Sequence, residues 1–194
     1  MTSIVDIARQ GLGGLLRKEG LSCSCGKRHH TELREVVMQA GALQETPRLV
    51  EKYGGSRVFL IADQNTYQVA GQKAAALLGE AGIDHEVFIF ADDYVQPTDA
   101  SLEQVLAKFS GDCDMILGVG SGTINDISKL AAKERGVSYI CVATAPSMDG
   151  FVSNTSSMVM KGIKVSIEST VPLAVVADLD ILAAAPERLL QAGF

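Results

Sequence analysis

Positive charge is scarce in this 194-residue chain: 17 Lys and Arg stand against 23 Asp and Glu, a formal net charge of −6. A nucleic-acid surface needs clustered Lys and Arg to neutralise phosphates. The one basic spot, Lys27 with Arg28, is too small to supply it, so no nucleic acid is expected as a partner. Long apolar runs are missing as well. None approaches the roughly 20 residues that span a bilayer, and no membrane association is expected. No basic flank followed by an apolar core opens the chain, which argues against a signal peptide and makes the cytoplasm the expected location. Of four cysteines only Cys23 and Cys25 are close together. Cys113 and Cys141 sit in or beside apolar runs, where a free thiol behaves as a small buried hydrophobe. A disulfide framework is therefore not expected. Internal repeats and low-complexity linkers are also lacking, and the length suits one domain over residues 1–194 with a single core.

What is present is ordinary globular composition, 47% hydrophobic and 21% charged, arranged in a regular alternation. Residues 4–16 show weak helical spacing interrupted by Gly11, Gly13 and Gly14. Strand-like apolar runs at 34–40, 57–62, 86–90, 114–118, 137–142 and 173–177 alternate with helical patterns at 43–53, 66–78, 102–109 and 124–134, and another helix begins at 186–191. Residues 158–167 read as two short strands turned at Lys161 and Gly162. Near-continuous apolar strands separated by amphipathic helices predict an α/β, Rossmann-like fold: a mostly parallel sheet with helices on both faces, and a small β-hairpin beside it.

Three segments carry chemistry. The first is Gly118-Val-Gly-Ser-Gly-Thr-Ile-Asn-Asp126, between a buried strand and a helix. Alternate glycines let a backbone turn tightly and approach a pyrophosphate with no Cβ in the way, and the following helix points free N–H groups at the anion. Thr123 adds a hydroxyl. The third glycine comes one residue earlier than in G-x-G-x-x-G, so a purely structural turn stands as the alternative. The second is Asp63, just past a strand, placed either to accept from a nucleotide ribose or to cap the helix that follows. The third is the loop from Thr144 through Ala145, Pro146, Ser147 and Asp149 to Ser153. Its hydroxyls around one carboxylate suit a polyol or a nicotinamide ribose, against a solvated loop rich in turn formers. Separately, Cys23, Cys25, His29 and His30 offer either four soft metal ligands or a β-turn with a basic end.

These motifs together resemble the sn-glycerol-1-phosphate dehydrogenase family, within the wider group of glycerol dehydrogenases, iron-dependent alcohol dehydrogenases and dehydroquinate synthases. The likeness lies in Gly-x-Gly-Ser-Gly-Thr-x-x-Asp ending at Asp126 and in the loop Thr-Ala-Pro-Ser-Met-Asp-Gly-Phe-x-Ser ending at Ser153. The Ser-Met-Asp-Gly form of that loop favours glycerol-1-phosphate dehydrogenase over its relatives. Similarity to the bacterial branch extends to Cys23-Ser-Cys-Gly-Lys-Arg-His29, Ala62-Asp-Gln-Asn-Thr66 and the closing stretch from Pro186-Glu-Arg to Ala192-Gly-Phe194.

The resemblance implies interconversion of sn-glycerol 1-phosphate and dihydroxyacetone phosphate with NAD or NADP and a bound divalent metal, zinc or nickel. Asp63 would meet the adenosine ribose, and its charge mildly disfavours a 2′-phosphate. Gly120, Ser121, Gly122, Thr123, Ile124, Asn125 and Asp126 would cradle the pyrophosphate. Thr144, Ser147 and Ser153, with Ala145 and Pro146 between them, would line the nicotinamide side, and Asp149 would touch the substrate hydroxyls.

The family's first metal-ligand Asp would fall just beyond Phe194, and its metal-binding histidines lie farther on in a helical domain. The three histidines here, His29, His30 and His85, form no helical two-His motif. The expectation is a truncated, inactive piece of an enzyme, with a homo-oligomer possible through an uncovered apolar face. The competing expectations are a glycerol or polyol dehydrogenase and a non-catalytic nucleotide-binding module.

Overall fold

The computed structural model describes residues 20–193 together with Arg9, Gly11, Gly14 and Leu16. The helical spacing expected at 4–16 lies for the most part outside the described residues. The first strands among the described residues form a small antiparallel hairpin, β1 (Leu21–Ser22) and β2 (Arg28–His29). Next comes β3 (Glu35–Gln39), and then a 3-10 turn (Ala42–Glu45) leads into α1 (Thr46–Lys52), with Pro47 in its first turn. β4 (Arg57–Asp63) is followed by a helical turn (Gln64–Thr66), a π-helical stretch (Tyr67–Gly71) and α2 (Gln72–Glu80).

The alternation continues with β5 (Asp84–Phe90), α3 (Asp99–Lys108), β6 (Met115–Val119), α4 (Gly122–Arg135) and β7 (Ser138–Ala143). After a loop containing a 3-10 turn (Gly150–Val152) come the hairpin β8 (Thr155–Met160) and β9 (Ile163–Glu168). β10 (Ala174–Asp178), α5 (Leu179–Ala183) and α6 (Glu187–Ala192) complete the described chain.

Six of these strands form one sheet in the order β3-β10-β7-β6-β4-β5, every neighbouring pair parallel. Alternate side chains of each strand face opposite sides, so a buried strand feeds two cores at once. Val58, Leu60 and Ala62 of β4 join Leu117, Val142 and Val176 in a core with Leu49 of α1 and Leu78 of α2. Phe59, Ile61, Ile116 and Cys141 face the other way and pack with Val105 of α3 and Ile127 and Leu130 of α4. Both faces are thus covered by helices, as the apolar patterning predicted. Lys161, at a φ of 51°, and Gly162 turn β8 into β9 where expected. The sequence reading missed α5 and the β1–β2 ladder, both too short for a periodic signal. Among the described residues no helix is long and apolar enough to cross a membrane.

The sheet order positions the site. From β4 the chain moves outward to β5, then crosses back so that β6 lies on the other side of β4. Connections leaving β4 and β6 therefore diverge and open a crevice at the strands' C-terminal ends. Asp63 ends β4, the glycine-rich turn follows β6, and Thr144 follows β7.

Candidate functional site

The glycine-rich turn is built by packing before it can serve a ligand. A Cβ on Gly118 would sit 2.6 Å from Ser128 Oγ and 2.8 Å from the Tyr139 hydroxyl; one on Gly120 would sit 2.6 Å from Ile124 Cβ. The first two glycines are therefore required for α4 to lie close on β6 and β7, a different reason from the phosphate approach expected of them. Gly122 is freer, its Cβ meeting only Met148 Sδ at 3.3 Å.

α4 begins at Gly122, with Ser121 at its N-cap making no side-chain capping bond. Among the described residues the first amide of α4 with a backbone acceptor is that of Asn125, which donates to Ser121 O at 2.9 Å. The amides of Gly122, Thr123 and Ile124 are thus the orphan donors of a 14-residue helix, at the end where the helix dipole favours an anion.

Across the crevice, Asp63 caps the helical turn that follows β4, one of its two sequence readings. Its Oδ1 accepts from Thr66 N at 2.8 Å while its own amide donates to Thr66 Oγ1 at 3.0 Å, a reciprocal cap. Capping uses one carboxylate oxygen and leaves Oδ2 without a protein donor among the described residues.

Asp63, Ser121, Thr123, Ile124, Thr144 and Ala145 line one cleft of about 480 Å³, within the range of small-molecule and cofactor sites. Its outer walls went unseen in the sequence: Tyr94 and Val95 after β5, and Arg188 and Leu189 of α6. A legible signal for Tyr94 and Val95 was their position after a strand's C-terminal end. Arg188 is the one cation among the described residues lining the cleft.

The remaining expected residues are placed elsewhere. Gly122, Pro146, Ser147 and Asp149 are not among the cleft-lining residues, although Asp149 is exposed on the loop directly after Thr144 and Ala145. Asn125 is buried: its Oδ1 accepts from the Tyr139 hydroxyl at 2.9 Å and its Nδ2 reaches Gly150 O at 3.4 Å.

Asp126 lies 3.3 Å from the Nζ of the buried Lys129. That ammonium also donates to Gly150 O at 3.2 Å, Ser153 Oγ at 3.1 Å and Thr155 O at 2.5 Å. Burial raises the Asp126 carboxyl's pKa and lowers the Lys129 ammonium's, outweighing their mutual attraction. Asn125, Asp126 and Ser153 thus form a polar layer beneath the Asp149 loop and do not line the cleft. Lys129, one helical turn after Asp126 on α4, is the residue the sequence reading missed.

The N-terminal hairpin brings together a second group. Cys23 and Lys27 close its turn, with Cys23 N donating to Lys27 O at 3.0 Å and Gly26 N to Cys23 O at 3.1 Å. The ligand atoms of Cys23, Cys25 and His29 lie within 4.8 Å of one another. The β-turn of the sequence reading is present, and of the four residues weighed as ligands the structure brings together Cys23, Cys25 and His29 but not His30. A hydrogen bond from the Cys25 backbone, helped by Cys25 and His29 side chains, lowers the Cys23 thiol to about 7. Cys113 and Cys141 are buried and free, as expected.

A family profile described as iron-containing alcohol dehydrogenase matches residues 37–186. Several curated relatives carry the name glycerol-1-phosphate dehydrogenase, NAD(P)+. That of Halalkalibacterium halodurans is 35% identical over 176 residues, 89% of this chain and 44% of the relative. That of Bacillus licheniformis is 32% identical over 198 residues, 100% of this chain and 47% of the relative. That of Methanothrix thermoacetophila is 37% identical over 163 residues, 82% of this chain and 45% of the relative. The chain spans about half the length of these relatives.

In structure it is similar to glycerol dehydrogenase from Schizosaccharomyces pombe, with a TM-score of 0.75 and 22% identity over 86% of this chain and 42% of that one. It also resembles maleylacetate reductase from Agrobacterium tumefaciens, with a TM-score of 0.69 and 16% identity over 80% of this chain and 44% of that one. Likeness at these identities concerns the fold alone.

Proposed function

The chain belongs to the iron-containing alcohol dehydrogenase family, and on that premise we propose that it is the dinucleotide-binding half of an oxidoreductase interconverting sn-glycerol 1-phosphate and dihydroxyacetone phosphate. The observation that carries this reading is the cleft at the divergence of β4 and β6, where Asp63 faces the unbonded amide end of α4. The name shared by the relatives from Halalkalibacterium halodurans and Methanothrix thermoacetophila supports the substrate.

In this reading the amides of Gly122, Thr123 and Ile124 receive the pyrophosphate, aided by the hydroxyls of Ser121 and Thr123. Asp63 accepts from the adenosine ribose through Oδ2, which its cap leaves free. Thr144 and Ala145 form the inner wall, and Pro146 and Ser147 continue it toward the nicotinamide. When bound, the nicotinamide supplies or takes up the hydride. Asp149 accepts from the hydroxyls of the three-carbon substrate, orienting the carbon that gains or loses that hydride. Lys129 holds the loop bearing Asp149 by its grip on Gly150, Ser153 and Thr155.

The divalent metal implied by the family, zinc or nickel, does not fit this cleft. Its described lining residues include two carboxylates, Asp63 and Asp93, but no histidine or cysteine, and no metal-holding cluster includes them. Its ligands would come from the helical half that the resemblance implies.

Titration of the chain with NADH and NADPH, followed by the quenching or shift of nicotinamide fluorescence, tests the proposal. Saturable but weak binding is expected, because the cleft lacks the wall of the helical half. No binding of either nucleotide at millimolar concentration would overturn it.

A further inference from the structure

The hairpin β1–β2 has little to hold it by hydrophobic means. Each strand has two residues, and of the segment 21–29 only Leu21 and Cys23 are even partly buried. A two-stranded hairpin of that size is marginal in water. The register pairs Leu21 with His29 and Ser22 with Arg28. Because side chains alternate along a strand, Cys23 and His29 then lie on the same face of the ladder.

The turn bends at Gly26, with φ +80°, and carries Cys25 back over that face. Cys25 Sγ ends 3.3 Å from His29 Nε2, and all three ligand atoms fall within 4.8 Å of one another. Zn–S bonds near 2.3 Å and Zn–N bonds near 2.0–2.1 Å at tetrahedral angles require S···N edges of about 3.5 Å and S···S edges of about 3.8 Å. The observed triangle has that scale, and its side chains are exposed enough to adjust by tenths of an ångström.

From this geometry we propose that Cys23, Cys25 and His29 form a zinc site, with water as the fourth ligand, that staples the N-terminal hairpin. The donor set selects the metal. Two thiolates and an imidazole suit zinc and offer no oxygen to magnesium or calcium. Two thiolates neutralise the divalent ion, and Lys27 and Arg28 beside them favour the anionic sulfurs. The Cys25 amide, 3.5 Å from Cys23 Sγ, is placed to support that ligand from outside the coordination sphere. The metal replaces the missing hydrophobic core of the hairpin, so binding and ordering are one event. This site is separate from the metal of the proposed reaction, since none of its residues lines the cleft.

The test uses the purified chain under reducing conditions, loaded with cobalt(II) as a spectroscopic stand-in and with zinc against a chromogenic chelator. One equivalent of cobalt should give a thiolate-to-metal charge-transfer band in the near ultraviolet and visible bands of tetrahedral intensity, both displaced by zinc. Cys25→Ser and His29→Ala should each weaken zinc binding by more than the roughly 10–100-fold that loss of an outer partner costs, and should abolish or shift the charge-transfer band. His30→Ala should leave it unchanged. All three positions are exposed, and far-ultraviolet circular dichroism checks that each variant is folded. A wild-type chain with no charge-transfer band, or a band unaltered in Cys25→Ser and His29→Ala, would overturn the proposal. The band requires sulfur, so a metal held only by oxygen and nitrogen elsewhere cannot mimic it.

Discussion

Lys129 Nζ lies 3.3 Å from the Asp126 carboxylate on its own helix and 3.2 Å from the carbonyl of Gly150, one residue after Asp149. One buried ammonium thus ties the first turns of α4 to the loop that would present the substrate carboxylate. Whatever disturbs this ion pair reaches both the first turns of α4 and the Asp149 loop.

Lys129→Ala should destabilise the chain by about 3–5 kcal/mol, because it strands a carboxylate whose side chain is only 14% exposed and removes the donor from three acceptors. Adding Asp126→Asn should recover part of that loss, since no uncompensated charge then remains. Urea unfolding of the two single variants and the double variant gives the coupling. Strict additivity would mean that the ion pair is worth nothing and that Lys129 acts only through the loop carbonyls.

Gly122→Val and Gly120→Ala should separate ligand access from packing. A side chain at 122 meets only the flexible Met148 Sδ, so Gly122→Val should fold normally yet lose dinucleotide affinity at least tenfold by crowding the orphan amides. A methyl at 120 collides with Ile124 Cβ and should cost about 1–3 kcal/mol in stability. Calorimetry showing equal affinity before and after Gly122→Val would detach the pyrophosphate from this turn.

Asp63 is expected to serve the helix and the ribose with different oxygens, and two substitutions distinguish them. Asp63→Ala should cost about 1 kcal/mol through the lost cap and weaken NADH binding as well. Asp63→Asn caps equally well, so stability should hold while the NADPH-to-NADH affinity ratio rises, because the charge opposing a 2′-phosphate is gone. An unchanged ratio would leave Asp63 as a cap alone.

The 194 residues by themselves should not reduce dihydroxyacetone phosphate measurably, whichever divalent metal is added. Orienting a hydride donor does not stabilise the developing alkoxide, and the described residues of the cleft bring two carboxylates, Asp63 and Asp93, but no histidine or cysteine to hold a Lewis acid. A longer chain continuing into the helical half should gain metal binding and turnover together. In it Asp149→Ala should lower kcat/KM for the phosphorylated triose. Metal-dependent turnover by the shorter chain would refute the division of labour proposed between the two halves.

Strand and helix identity was legible because periodicity is local. Runs such as 57–62 and 114–118 are apolar on both faces, and only a doubly covered parallel strand needs that. The crevice was legible too, because a glycine-rich turn between strand and helix occurs at a sheet's C-terminal edge whatever the strand order. The resemblance pointed to Asp63, Thr144 and Asp149 by motif; the first two line the cleft and Asp149 does not.

Tertiary structure alone decided which way the residues of α4 face. Asn125 and Asp126 follow directly on the phosphate turn in sequence, yet a helix rotates about 100° per residue. The Tyr139 hydroxyl and the Lys129 ammonium take those two side chains inward, beneath the loop. Gly118 and Gly120 likewise owe their lack of a side chain to Ser128, Tyr139 and Ile124, contacts that no spacing rule anticipates. Cys25 and His29 meet because a two-residue ladder and one left-handed glycine fold the chain back on itself. Local pattern specifies elements; which side chains converge is set by how those elements pack, and that depends on contacts distant in the sequence.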